Sequence, residues 1–286
     1  MLARMRVGTF RDPDGDTFVG EVEGDRVHGL AAPSMLAWLS GDGRARVAEP
    51  VGLADLETLA PVSEPPSVRD FYAFERHVAA GARLRGEEVA PYWYEAPAFY
   101  FSNPASILGP GEALRRPTGV TRLDFELEIA ALIGAGGEIA GFTLMNDWSA
   151  RDVQARERPI GLGPHKAKDF GTSLGPLLVT ADELPNRDGR LGLAARVTVN
   201  GHELTTSDAG EQHFGWPEIV AQAARNTRLR PGDVLGSGTL AGGCLLELGP
   251  LPEAAGGDGQ RWLEPGDVVA LEADGLGRLE TRIVGA

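Results

Sequence analysis

Cysteine is nearly missing from this 286-residue chain: Cys244 is the only one, which excludes an intramolecular disulfide and any zinc site made of cysteines alone. Basic charge is also short. Against 41 Asp and Glu stand 27 Lys and Arg, a net charge of −14, and a nucleic-acid footprint needs a basic face. A local basic pocket for an acidic small molecule remains compatible with that balance. No apolar run approaches a membrane span, and the start "MLARMRVGTF" lacks the apolar core of a signal peptide. These absences predict a soluble cytoplasmic protein with no nucleic-acid and no membrane partner.

Glycine and proline are abundant, 39 and 20 residues, together more than a fifth of the chain. That favours a turn-rich β protein over a helical bundle. Residues 1–62 read as a small N-terminal β domain of short strands ("RVGTF", "DTFVGEVEG", "DRVHGL") with a brief helix near "SMLAWLSG". The triplet Asp12, Asp14, Asp16 in "DPDGDT" lacks the spacing and closing glutamate of a calcium loop and reads as a polar hairpin tip. "APVSEPPS" (60–67) reads as a linker, and 68–286 as a larger domain. Helical spacing is predicted over "RDFYAFERHVAAGARL", and "LRPGDVLG" and "LEPGDVVA" share a type II Pro-Gly turn ahead of a strand. The expected class is mainly β (α+β).

Within "RLDFELEIAALIG" (122–134) a strand would put Asp124, Glu126 and Glu128 on one face and Phe125, Leu127 and Ile129 on the other. Aligned carboxylates repel unless water or a cation separates them, so the face is either solvated or a cation site. Asp147 in "LMNDWSARD" sits where a strand gives way to a helix, as an N-cap or as a further ligand. Glu247 is the only charge in the apolar run "GCLLELG", read as a strand, and a lone buried carboxylate needs a partner. His77 shares its helical stretch with aromatics and Asp70; it is either structural or, paired with Glu247, a general base fixed in one tautomer. "GTSLG" (171–175) fits the serine-hydrolase elbow only in letters, because "HKAKD" precedes it and strand-like "PLLVT" follows. "GAGGEIAG" is followed by a strand, not by the helix of a dinucleotide loop.

From about Val68 to Val284 the chain resembles the fumarylacetoacetate hydrolase family. The segments that carry the likeness are "RDFYAFERH", "RLDFELEIAALIG", "LMNDWSARDVQARE", "KDFGTSLGP", "LRPGDVLGSGT" and "CLLELG". The resemblance implies a mixed β-sandwich roll, barrel-like, behind a small N-terminal β domain, and a homodimer. It implies that Glu126, Glu128 and Asp147 bind a divalent cation, with Asp70 as the further ligand of the fumarylacetoacetase-like branch. Four carboxylates suit Mg²⁺ first, with Mn²⁺ or Ca²⁺ as alternatives, rather than zinc. Asp124 is not a ligand in the family and is expected to be hydrogen-bonded or solvated. His77 and Glu247 fall on the branch's catalytic pair. Lys168, Arg151 and Gln154 fall on groups that polarise substrate oxygens or form an oxyanion hole, and Tyr72, Tyr100 and Thr239 on substrate contacts. By charge pattern alone Arg151, Gln154 and Lys168 would be solvated, and the two tyrosines and Thr239 would be core.

The implied reaction is carbon–carbon hydrolysis of a 1,3-diketo acid by water activated at His77, or decarboxylation, isomerisation or dehydration of a 2-keto acid on the same scaffold. A cation-binding β protein without turnover is a third reading, which the crowd of His, Lys, Arg and Gln disfavours. The chain departs from the family at Gly86, where an arginine is usual, at Arg158 in place of a pocket tyrosine, and at "FSNPAS" after Tyr100. The departures bear on the identity of the substrate more than on the reaction type.

Overall fold

The computed structural model describes residues 5–286. Strands dominate, in a mixed sheet of 12 and a second sheet of 5, with short helices between them. Val51–Gly52 lies at one edge of the large sheet, followed by Arg26–Gly29, Thr17–Glu23 and Arg6–Arg11. The order continues through Thr172–Thr180, Ile139–Asp147, Leu127–Ile133, Val234–Gly236, Val68–Phe71 and the far edge strand Phe99–Ser102. Strands from before residue 62 and after residue 68 are therefore hydrogen-bonded in one sheet, joined where Arg6 and Val7 pair with Val179 and Leu178. The second sheet runs His202–Asp208, Ala194–Val199, Val268–Ala273, Gly277–Val284, Leu114–Arg115.

The middle of the large sheet is covered on both faces, which explains the nearly continuous apolar run of Leu127–Ile133. Ile129, Ala131 and Ile133 enter a core with Val197, Leu271 and Leu279 of the second sheet. Ala130 and Leu132 face the other way, into a core with Val7, Trp38 and Leu39. Side chains alternate, so Val68 and Asp70, Glu128 and Ala130, and Met145 and Asp147 share that second face. Polar residues thus take over where these apolar rows end.

Local chemistry sets the turns. Asp12 Oδ1 accepts the backbone N–H of Asp14 and Asp16 at 3.0 and 2.9 Å, closing the hairpin tip. Gly232 and Gly266 take φ of +89° and +105°, the left-handed value a type II turn needs ahead of the strands Val234–Gly236 and Val268–Ala273. Ser173 lies inside the strand Thr172–Thr180 and accepts the Trp148 indole N–H at 2.9 Å, so no nucleophile elbow exists there. The "GAGGEIAG" segment turns between two antiparallel strands.

Three elements differ from expectation. The predicted helix over 69–84 begins only at Glu75; Val68–Phe71 is a buried strand parallel to Val234–Gly236. Buried backbone must be hydrogen-bonded, and the sheet supplies partners that outweigh helical spacing. The strand expected over 122–134 breaks: Leu123–Asp124 pairs with Ser149–Ala150, and the ladder resumes at Leu127. At the break the Glu126 N–H is donated to Asn146 Oδ1 at 2.9 Å instead of to a neighbouring strand. Glu247 lies on a one-turn helix, Leu245–Leu248, not on a strand. Asp124 accepts the first N–H groups of that turn, from Leu245 and Leu246, at 2.8 and 3.0 Å. Among the described residues no helix is long and apolar enough to cross a membrane.

Candidate active site

Three strands and one strand break bring the predicted acids together. Asp70 is next to last in Val68–Phe71, Glu128 is second in Leu127–Ile133, Asp147 ends Ile139–Asp147, and Glu126 sits at the break just before Leu127. All four are buried, with carboxylate oxygens within 4.8 Å of one another. Gly236, opposite Asp70 in the ladder, makes the space. A Cβ there would come 2.7 Å from Asp70 Oδ1 and 2.9 Å from Glu128 Oε2. The sequence reading missed this glycine, although glycine inside a strand is a known mark of close approach.

The two ends of the cluster differ in charge. Lys168 Nζ donates to both Glu126 Oε2 and Asp147 Oδ2. Arg151 donates from Nη2 to Glu126 Oε1 at 2.6 Å and from Nε to Asp124 Oδ2 at 2.8 Å. Burial pushes the Glu126 carboxyl up, but Arg151 and then Lys168 outweigh it and hold it far below its usual range. Neither Asp70 nor Glu128 makes an ion pair with a basic side chain among the described residues, and the charge of Lys168 only partly offsets the rise at Asp70. Burial, and after it the neighbouring Asp147 charge, holds Asp70 well above the carboxylate range; burial and then Asp70 do the same to Glu128. For Asp147 burial raises the carboxyl and Lys168 only partly offsets it. Tyr100 donates its hydroxyl to Asp70 Oδ2 at 3.0 Å and to Asp147 Oδ2.

Three oxygens in this cluster, Asp70 Oδ1, Glu128 Oε1 and Asp147 Oδ1, are buried and find no hydrogen-bond donor among the described residues. Buried polar atoms without partners are costly, and a divalent cation satisfies such oxygens while favouring their ionised forms. The donor set is all oxygen and all carboxylate, which fits Mg²⁺, Mn²⁺ or Ca²⁺. The residues present therefore fit the ion.

A cavity of about 380 Å³ opens over the acids. Its walls include Asp70, Glu126, Glu128, Lys168, Arg151, Gln154, Tyr72, Tyr100, Thr239 and His77. On the far side His77 Nδ1 lies 2.5 Å from Glu247 Oε1. Glu247 Oε2 accepts the Gly242 N–H at 3.1 Å. Burial pushes the Glu247 carboxyl up, but the hydrogen bond and charge of His77 more than offset it and the net shift is downward. Gln154 Oε1 accepts from Arg151 Nη1 at 3.1 Å, which leaves its amide NH₂ free to donate.

Every residue expected at the site thus lies in or directly behind one cavity. Lys168 is buried against the acids, so the solvated reading of its charge pattern does not hold, and Arg151 donates chiefly to Asp124 and Glu126. Asp124, given no part in the chemistry, is fully buried and links Arg151 to the turn that carries Glu247. No local signal in "RLDF" marks that link.

The family model for fumarylacetoacetate (FAA) hydrolase C-terminal regions matches residues 67–284. The chain belongs to the fumarylacetoacetate hydrolase family. It is 34% identical over 268 residues to the fumarylacetoacetase of Arabidopsis thaliana, covering 71% of this chain and 63% of that one. The chain thus spans less than two thirds of that relative's length. The fold is shared with a fumarylacetoacetate hydrolase from the psychrophile Exiguobacterium antarcticum, at a TM-score of 0.73 and 23% identity, covering 99% of this chain and all of that one. The 5-carboxymethyl-2-hydroxymuconate delta-isomerase of Mycobacterium smegmatis is similar at TM-score 0.73 and 25% identity, covering 99% of this chain and all of its own.

Proposed function

We propose that this family member is a metal-dependent hydrolase that cleaves a carbon–carbon bond in a 1,3-diketo acid of the acylpyruvate or fumarylacetoacetate type. The single observation behind the reading is that the His77–Glu247 pair and the four-carboxylate cluster face one cavity, with Lys168 and Gln154 on its wall. Asp70, Glu126, Glu128 and Asp147 would hold the divalent cation, Mg²⁺ before Mn²⁺ or Ca²⁺. When bound it supplies electrophilic pull on substrate oxygens.

The chain's own groups carry the remaining work. Glu247 occupies Nδ1 of His77, which leaves Nε2 to take a proton from a water aimed at the substrate carbonyl. Glu247, held ionised, steadies the imidazolium that results. Although burial lowers the Lys168 ammonium, Asp147 and Glu126 outweigh it and keep it charged, so Lys168 donates and does not act as a base. Lys168 and the free Gln154 amide, with Arg151 nearby, would stabilise the oxyanion. The proton on His77 then passes to the departing carbon, and two acids leave. Tyr72, Tyr100 and Thr239 shape the walls. The reading includes a homodimer, checked by light scattering.

A second reading, isomerisation or decarboxylation of a 2-keto acid, is favoured by the likeness to the Mycobacterium smegmatis isomerase. One panel separates the two: acylpyruvates, oxaloacetate and an unsaturated 2-hydroxy acid, with Mg²⁺ or Mn²⁺ added and then chelated. Loss of diketone absorbance with two acids formed supports hydrolysis. CO₂ release or bond migration without cleavage rejects it.

A further inference from the structure

Cys244 has no part in the reaction proposed above, yet it is buried against the residues that do. Its Sγ lies 3.6 Å from Glu247 Oε1, on the oxygen that also meets His77 Nδ1 at 2.5 Å. The three donors, one nitrogen, one sulfur and one carboxylate oxygen, fall within 4.8 Å of one another. We propose that His77, Cys244 and Glu247 form a second metal site, selective for a thiophilic cation such as Zn²⁺, whose occupancy competes with the His77–Glu247 hydrogen bond.

Donor chemistry separates this site from the carboxylate cluster. Thiolate and imidazole select zinc-like ions, whereas carboxylates alone suit Mg²⁺, Ca²⁺ and Mn²⁺. Zinc bonds of about 2.3 Å to sulfur and about 2.0–2.2 Å to nitrogen and oxygen, set tetrahedrally, require donors about 3.3–3.6 Å apart. The sulfur–oxygen separation of 3.6 Å already meets this. The nitrogen–oxygen separation of 2.5 Å must widen by about 0.9 Å, which happens when the proton between them leaves. On binding, the thiol proton goes to solvent and the His77 proton moves from Nδ1 to Nε2, so Nδ1, Sγ and Oε1 each give a lone pair. Three protein ligands leave a fourth position for water. Burial, and after it the charge of Asp124, holds the thiol protonated, which makes Cys244 a poor target for oxidants but not for an ion that displaces its proton.

Binding stands apart from the reaction proposed above; only the consequence that a bound thiophilic ion stops turnover, by taking Nδ1 of His77 from Glu247, rests on that reading. The test is a Co²⁺ titration of the full chain saturated with Mg²⁺, read by absorbance. Because the chain has one cysteine, a sulfur-to-metal charge-transfer band can come only from Cys244. The expected result is that band in the unmodified protein, with visible bands of tetrahedral intensity, and displacement of Co²⁺ by equimolar Zn²⁺. Cys244→Ser, which keeps a donor beside Glu247, should abolish the band and weaken Zn²⁺ by more than about 100-fold, with Mg²⁺ affinity retained as the check on folding. His77→Gln should lose the tetrahedral intensity. Absence of the band in the unmodified protein overturns the proposal. So does Zn²⁺ affinity that is equal in Cys244→Ser, since the ion would then sit among the four carboxylates.

Discussion

The two ends of the cavity are built on different principles. The carboxylate end is made by strand ends in the middle of a 12-stranded sheet, where the ladder fixes Asp70, Glu128 and Asp147 side by side. The basic end is made by two helices, Glu75–Leu84 and the single turn Leu245–Leu248, holding His77 and Glu247 together through one short hydrogen bond. Titration separates them too. Asp70 and Glu128 are pushed up, first by burial and then by like charge, whereas in Glu247 the pair with His77 overcomes burial and the net shift is downward. A sheet gathers like charges that only a cation reconciles, while a helix pair presents one oriented base. Asp124 touches both halves, through Arg151 to Glu126 and through backbone N–H groups to the Glu247 turn.

The sharpest way to break the comparison is His77→Ala. Turnover should fall by ~10²–10⁴-fold with Mg²⁺ affinity intact, measured by steady-state kinetics and calorimetry. A loss below about tenfold would remove the base from the account. Glu128→Gln attacks the other end: Mg²⁺ affinity should fall by at least about 100-fold while the pH profile assigned to His77 keeps its shape. Asp147→Ala takes one of the two acids from buried Lys168 and leaves Glu126 in place, so the denaturation midpoint should fall by less than the ~3–5 kcal/mol of a buried charge stripped of every partner.

The pH response sharpens the contrast by sign. Without a divalent ion, the raised Asp70 and Glu128 carboxyls stabilise the fold fully only below the ordinary carboxylate pKa, and lose that contribution as pH rises toward their folded values. The lowered Glu247 acts oppositely, its contribution present above that range and lost as pH falls. Melting under chelation should therefore lose stability as pH rises above the ordinary carboxylate range toward neutral, where only the raised groups still titrate, and Mg²⁺ should abolish that loss while releasing protons. Smallest of all is the control. Arg76→Ala, one residue from His77 but exposed in its pair with Glu211, should change stability by less than about 1 kcal/mol.

The same division explains what was legible in the sequence. Alternation puts Glu126 and Glu128 on one face, but pattern alone favours a solvated face for them and an N-cap for Asp147; it is the family likeness that marks the three as ligands. His77 and Glu247 were readable as lone polar groups in need of partners, though Glu247 was placed on the wrong element because a one-turn helix is too short to show a period. Asp70 was assigned to a helix, since nothing in "RDFYAFERH" announces that a parallel strand arrives from Val234–Gly236. The space made by Gly236 and the link made by Asp124 are hidden for the same reason. Their meaning lies in contacts more than 100 residues away along the chain, with Glu128 and with Leu245. Alternation and burial cost are local signals; closure of a site is not.

The central claim is that Asp70, Glu126, Glu128 and Asp147 enclose a divalent ion. Crystals soaked in Mn²⁺ and measured at its absorption edge test it most directly. The account predicts one strong anomalous peak within bonding distance of carboxylate oxygens from these residues, lost in Glu128→Gln. A peak elsewhere, or none among the four at saturating Mn²⁺, would contradict it.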